Sequence, residues 1–226
     1  QRAWYVKKEA TQREEMKREF PSTSKEAFEQ SMEGAYFVAQ MTKAREDGRI
    51  GFVKYRPDLP VNTFWDLGIS KTDKQVIWFH QQQGMKECFI DYYENSGEHF
   101  PHYAQILQGR KYIYGKHFLP HDAMNRDKRQ PGSVYEDAAK LLTGEVYRVP
   151  RVPVKQQAIN AARNVLGSCW FDESKCEQGI KCLDAYRKEW NEDLGTWRDA
   201  PRHDWASHGA DGFMTFALAK ITYENE

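Results

Sequence analysis

Three aspartates, Asp66, Asp122 and Asp211, occupy settings unusual for a surface carboxylate. Asp66 lies in "NTFWDLGIS", inside a short aromatic and aliphatic run that reads as a strand. Burying a lone carboxylate is costly unless a cation or hydrogen-bond donors meet it. Strand alternation sends Phe64, Asp66 and Gly68 to one face and Trp65, Leu67 and Ile69 to the other. Gly68 then leaves room beside the carboxylate for an ion or a phosphate. Asp122 follows Pro120 in "FLPHDAMNRD", just past a second strand-like run. Asp211 stands on the margin of a helical stripe formed by Ala210, Met214, Ala217 and Ile221, with Ser207 as the expected N-cap.

If the strands ending near Asp66 and Asp122 are neighbours, a spacing of about 4.8 Å lets the two carboxylates face each other. Carboxylates that close repel unless protonated or bridged by a cation. Mg²⁺ or Mn²⁺ needs only a few such oxygens plus water and a substrate phosphate. Two ions roughly 3.5–4 Å apart activate water and stabilise the leaving oxygen in phosphodiester cleavage. Each aspartate also has an ordinary alternative. Asp66 suits a partnered structural residue, Asp122 a turn residue after proline, and Asp211 a carboxylate favouring the helix dipole.

Histidines surround two of the three. His121 adjoins Asp122, while His203, Asp204 and His208 precede Asp211. His121, Asp204 and His208 are candidates for orienting a ligand, contacting phosphate or moving a proton. A zinc site on His203 and His208 is disfavoured, because no cysteine or third histidine sits at suitable spacing.

Positioning these residues requires a regular scaffold, and one is visible from about residue 60. Strands are expected at 63–69, 75–81 and 87–93, with "QQQG" as a hairpin loop. A helix near 98–107, a strand at 112–119, and a helix at 134–142 ending at Gly144 follow. A short strand at 146–149 and helices near 156–166, 177–192 and 207–223 complete the order. Three antiparallel strands followed by βα units predict an α/β protein with a mixed β-sheet flanked by helices. The ribonuclease H-like fold has this order, with its first and fourth strands side by side.

Residues 1–58 have a different character. "KKEATQREEMKREF" reads as an exposed helix, Ser24 as a cap for a second, and "RIGFVKYRPDLPV" as a connector. The boundaries expected are a helical connector over 1–58 and a catalytic-type domain over 59–226. A start at Gln1 rather than Met suggests a piece of something longer.

With 33 basic and 33 acidic residues, any nucleic-acid contact must rest on local patches. Between Pro101 and Gln157, ten Lys/Arg oppose five Asp/Glu. Arg126, Lys128, Arg129, Arg148, Arg151 and Lys155 are the candidates for tracking a DNA backbone without reading sequence. The four cysteines form no CxxC pair and read as free thiols of a reducing compartment. No stretch approaches a membrane span.

The pieces "FWDLGIS", "LPHDA" and "HDWASHGADGF", in that order, resemble the C-terminal nuclease domain of tailed-phage terminase large subunits. "REFPSTSKEAFEQSMEGAYF" is similar to that family's link from packaging ATPase to nuclease. The resemblance implies a divalent-metal endonuclease that cuts concatemeric viral DNA during packaging in the infected bacterial cytoplasm. Asp66, Asp122 and Asp211 would be its catalytic metal ligands. Double-stranded DNA, a terminase small subunit and a portal protein would be its partners. After the third aspartate the family commonly continues with alanine, an aromatic and arginine, whereas this chain has Gly212, Phe213 and Met214. No GxxxxGK[ST] occurs, so the ATP site of that family would lie outside this chain. Two other readings fit the residues: a transposase- or resolvase-type nuclease of the same fold, and a non-catalytic portal or motor docking module.

Overall fold

The computed structural model describes residues 34–68, 73–125 and 132–223. The helices expected between Lys7 and the mid-thirties, the Ser24 cap, Ile69, and the basic residues Arg126, Lys128 and Arg129 lie outside or largely outside the described residues.

The sheet is built on a meander. Strand β2 (Val61–Asp66) pairs antiparallel with β3 (Lys74–Gln83), which pairs antiparallel with β4 (Lys86–Ser96). On its other side β2 pairs in parallel with β5 (Tyr114–Leu119), and β5 pairs in parallel with β6 (Glu145–Arg148). This is the expected mixed sheet, with the first and fourth strands of the domain adjacent. A buried chain of hydrogen bonds locks that adjacency. Trp65 Nε1 donates to Thr63 Oγ1, which lies 2.7 Å from His117 Nδ1, and His117 Nε2 lies 2.9 Å from the Thr143 carbonyl. Burial holds the His117 pKa down, so the ring stays neutral as the chain requires.

Alternation along β2 sends its side chains into two separate cores. Phe64, Val76, Trp78, Phe89 and Phe171 pack beneath four helices. These are α1 (Val38–Glu46), α4 (Lys155–Val165), α5 (Glu177–Ala185) and α6 (Ser207–Tyr223). Trp65, Ile77, Phe79 and Ile90 pack on the other face against α2 (Phe100–Gly109) and α3 (Val134–Leu141). The result is a ribonuclease H-like α/β fold.

Two strands and a hairpin lie where the sequence suggested none. β7 (Cys169–Asp172) pairs in parallel with β4 and with β1 (Ile50–Gly51), giving seven strands in the order β1-β7-β4-β3-β2-β5-β6. Arg49 stitches this edge by donating to the Leu166 and Cys169 carbonyls. Residues placed on the connector side of the expected boundary therefore join this body. Phe37, Met41 and Ala44 are fully buried in it.

The helix expected over 177–192 stops at Ala185. Its successor Tyr186 turns extended and inserts into the core, and β8 (Lys188–Asn191) pairs with β9 (Thr196–Pro201). Asn191 Oδ1 accepts from Asp193 and Leu194 N–H to form the turn, and Trp190 packs on Trp197 at 5.0 Å. Gly144 serves strand approach and not the helix cap. Helix α3 ends at Leu141, and a Cβ on Gly144 would collide with the Gly115 carbonyl. All four cysteines are free and buried. Among the described residues, no helix is long and apolar enough to cross a membrane.

Candidate metal centre

Asp66 is the terminal residue of β2, held in register opposite Val76 of β3. Its Oδ2 lies 2.9 Å from His208 Nδ1. Burial, reinforced by the Asp211 charge, pushes the Asp66 carboxyl up to about 6 despite the opposing His208 hydrogen bond and Lys155 charge. The same contact with Asp66 raises the His208 pKa above its ordinary value.

Asp122 sits in a 3₁₀ turn, His121–Met124, immediately after β5. Its Oδ1 is buried and has no hydrogen-bond partner. An orphaned, buried carboxylate oxygen is costly and calls for a cation or water. Asp211 is in the first turns of α6, where Lys155 Nζ approaches its Oδ1 at 2.7 Å.

All three carboxylates line one cleft of about 350 Å³. Pro120, His121, Val149, Pro150, Val152, Pro153, Ala158, Met214, Thr215 and Leu218 complete its lining. Arg151 and Lys155, both exposed, add two basic side chains to the lining. Asp66 and Asp211 repel each other across the cleft and Asp122 leaves an oxygen unsatisfied, a donor set that suits a hard divalent cation.

Glycines let the helix carrying Asp211 approach this closely. A Cβ on Gly212 would lie 3.1 Å from Trp78 Cδ1 and Val76 Cγ1, and one on Gly209 would lie 2.5 Å from Cys182 Cβ. Gly209 also accepts a hydrogen bond from Trp78 Nε1 through its carbonyl at 2.9 Å. Gly212, the departure from the terminase pattern, thus belongs to the packing of helix on sheet. Met214, where that pattern has arginine, is buried against the cleft.

Several expectations change in detail. The space beside Gly68 is filled by the returning chain, since a Cβ there would lie 2.5 Å from the Asp73 carbonyl. Gly68 closes the β2–β3 connection and leaves no room for an ion. The apolar face of α6 turns on Phe213 and Phe216 with Ala210, Met214 and Ala217, while Ile221 is exposed. Ser207 is the first residue of α6, with its hydroxyl donating back to the Asp204 carbonyl at 2.6 Å. Asp204 acts in that turn, accepting from Ala206 N–H at 3.0 Å, and does not line the cleft. Arg148 is exposed at the end of β6, outside the cleft lining.

Two roles were not visible in the sequence. Lys155, expected only on a DNA path, faces Asp211 as its ion partner. Asp73, directly before β3, comes within reach of His203 and His208. The clue for Asp73 was its place directly before β3, where a hairpin returns the chain to its start.

Fold and cleft together define a ribonuclease H-like α/β protein with an acidic cleft at the carboxyl ends of adjacent parallel strands. No family model matches the chain, and no curated protein matches it. Solved structures do. The large terminase of a thermophilic bacteriophage superposes with a TM-score of 0.60 at 14% identity, covering 89% of this chain and 53% of that one. The magnesium-bound large terminase nuclease of thermophilic phage G20c gives 0.54 at 16% identity, covering 84% and 97%. The manganese-bound nuclease domain of the bacteriophage SPP1 large terminase gives 0.50 at 12% identity, covering 72% and 86%. The chain therefore spans about half the length of the first of these proteins and shares the fold of large-terminase nuclease domains.

Proposed function

We propose that this chain is the nuclease part of a phage terminase large subunit, a metal-dependent endonuclease that hydrolyses double-stranded DNA during genome packaging. The observation that carries the reading is the convergence of Asp66, Asp122 and Asp211 on one cleft, with Asp122 Oδ1 buried and unsatisfied. The likeness to terminase nucleases solved with magnesium and manganese supports it.

In this reading the three aspartates would hold two Mg²⁺ or Mn²⁺ ions. The ions supply a polarised phosphoryl oxygen and a water of lowered pKa. The chain's own residues supply the positions. β2 fixes Asp66 and His208 orients its carboxylate, while Lys155, now on Asp211, turns towards the phosphate backbone. His121, exposed and lining the cleft, would face the substrate. ATP hydrolysis, the small subunit, the portal and the host cytoplasm belong to the whole protein of which this chain would be the nuclease portion.

The test is incubation with supercoiled plasmid. Nicking or linearisation with Mg²⁺ or Mn²⁺, abolished by EDTA, is expected; intact plasmid across a millimolar range of both ions would sink the reading. Relief of carboxylate repulsion also stabilises the fold by mass action. At a hundredfold excess over Kd, Mn²⁺ should add about 2.7 kcal/mol, with the gain in melting temperature reversed by EDTA. An unchanged melting temperature would mean that the carboxylates bind no ion.

Arg151→Ala should weaken duplex binding about equally for unrelated sequences and reduce the slope of log K against log salt by roughly one. Filter binding or fluorescence anisotropy at several salt concentrations reads both. A wild-type slope would place Arg151 away from the phosphates.

A further inference from the structure

A second cluster lies beside the acidic cleft and has different chemistry. A carboxylate oxygen of Asp73 and one ring nitrogen each of His203 and His208 all lie within 4.8 Å of one another. They come from three places in the fold: just before β3, after β9, and in the first turn of α6. The two imidazoles meet edge to face with centroids 5.4 Å apart.

Both rings are oriented by a partner on Nδ1. His208 Nδ1 faces Asp66 Oδ2 at 2.9 Å. His203 Nδ1 lies 3.2 Å from Ser207 Oγ, whose proton is already donated to the Asp204 carbonyl. Ser207 therefore accepts from His203 Nδ1–H, and Nε2 carries the lone pair. An Nδ1–H···carboxylate bond leaves His208 in the same tautomer. Metal-binding histidines are held in this way, with the non-ligating nitrogen tied to a carboxylate or another acceptor.

We propose that Asp73, His203 and His208 form a transition-metal site that takes Zn²⁺ or Co²⁺ in preference to Mg²⁺. Two imidazoles and one carboxylate match the borderline ions, whereas Mg²⁺ wants oxygen donors throughout. Three protein ligands leave a further position for water or substrate. Bonds of about 2.0–2.2 Å hold ligand atoms roughly 3–3.6 Å from one another, within the 4.8 Å that bounds their present separation. The exposed His203 and Asp73, just before β3, give the site room to adjust to an ion. Sequence spacing concealed the site because its third ligand is a carboxylate distant in the chain. Asp66 would serve both centres, as a ligand in the acidic cleft and as the carboxylate behind His208. The ligand set itself does not depend on the nuclease reading.

Cobalt titration of the full chain at pH 8, followed by visible absorption and by competition with Zn²⁺, tests it. A saturable band is expected, bleached by Zn²⁺ and unaffected by a tenfold excess of Mg²⁺. His203→Ala should abolish the band, and Asp73→Asn should weaken cobalt binding at least about tenfold. Asp122→Asn, which disables the acidic cleft, should leave the band intact. Circular dichroism melts establish that each variant is folded. No band in the wild-type chain, a wild-type band in folded His203→Ala and Asp73→Asn, or its loss in Asp122→Asn would overturn the proposal.

Discussion

Asp66→Asn is expected to reduce metal-dependent plasmid cleavage by at least about a hundredfold while leaving the fold intact. The amide keeps the shape of the carboxylate, and its oxygen still accepts from His208, so the local hydrogen bond survives. What disappears is the negative charge at the head of the cleft. Because burial makes that charge unfavourable, the variant should melt at or slightly above the wild-type temperature without metal. The Mn²⁺-induced gain in melting temperature should shrink or vanish. Agarose gels of plasmid conversion and paired melts with Mn²⁺ and with EDTA separate the two effects. Full cleavage by a well-folded Asp66→Asn chain would remove the nuclease assignment.

Trp78→Ala should cost about 3–5 kcal/mol of stability. The indole is fully buried on β3, where it meets Phe89, Tyr92, Phe171 and Phe213, with Tyr92 at 4.7 Å. Gly179 of α5 and Gly212 of α6 lack side chains over this ring; a Cβ at Gly179 would collide with Trp78 Cη2. Two helices seated on one indole cannot both settle into the cavity its removal leaves. Trp78 Nε1 also holds the Gly209 carbonyl, two residues from Asp211, so the variant should bind Mn²⁺ more weakly as well. Urea unfolding at unchanged m-value measures the first effect. A loss below about 1 kcal/mol would show that the helices are anchored elsewhere.

Much of the scaffold was legible because its signals are local. The alternation of "NTFWD", the hairpin after "QQQ" and the glycines and prolines between segments each specify a short piece of backbone. The side-by-side placement of β2 and β5 followed from element order. Other features depend on contacts distant in sequence. β7 has four residues and no alternation, and it is a strand because β4 and β1 offer edges on either side. Helix α5 ends early because burying Tyr186 and pairing Trp190 with Trp197 outweigh helix continuation. Within the site, the spacing and neighbours of the three aspartates drew attention to them. The Lys155–Asp211 pair spans 56 residues, and Asp73 meets histidines 130 or more positions further along the chain, a contact no local propensity states. Gly68 and Gly212 show the same limit from the other side. Their reason is a neighbour that a one-dimensional reading does not contain.

The contact between His208 and Asp66 joins residues 142 positions apart. The β2–β3–β4 meander forms from neighbouring segments, whereas helix α6 must travel back across the sheet to complete the core. Contacts of such separation carry a large loop-closure cost and form late in folding. Strands made early present Asp66 alone. Asp211 joins it when α6 docks, with Phe213 and Phe216 entering the core at the same step. During synthesis, a nascent chain that has not yet emerged past residue 211 has a sheet without the third carboxylate of the cleft. The order in which the cleft is completed thus follows the order of translation.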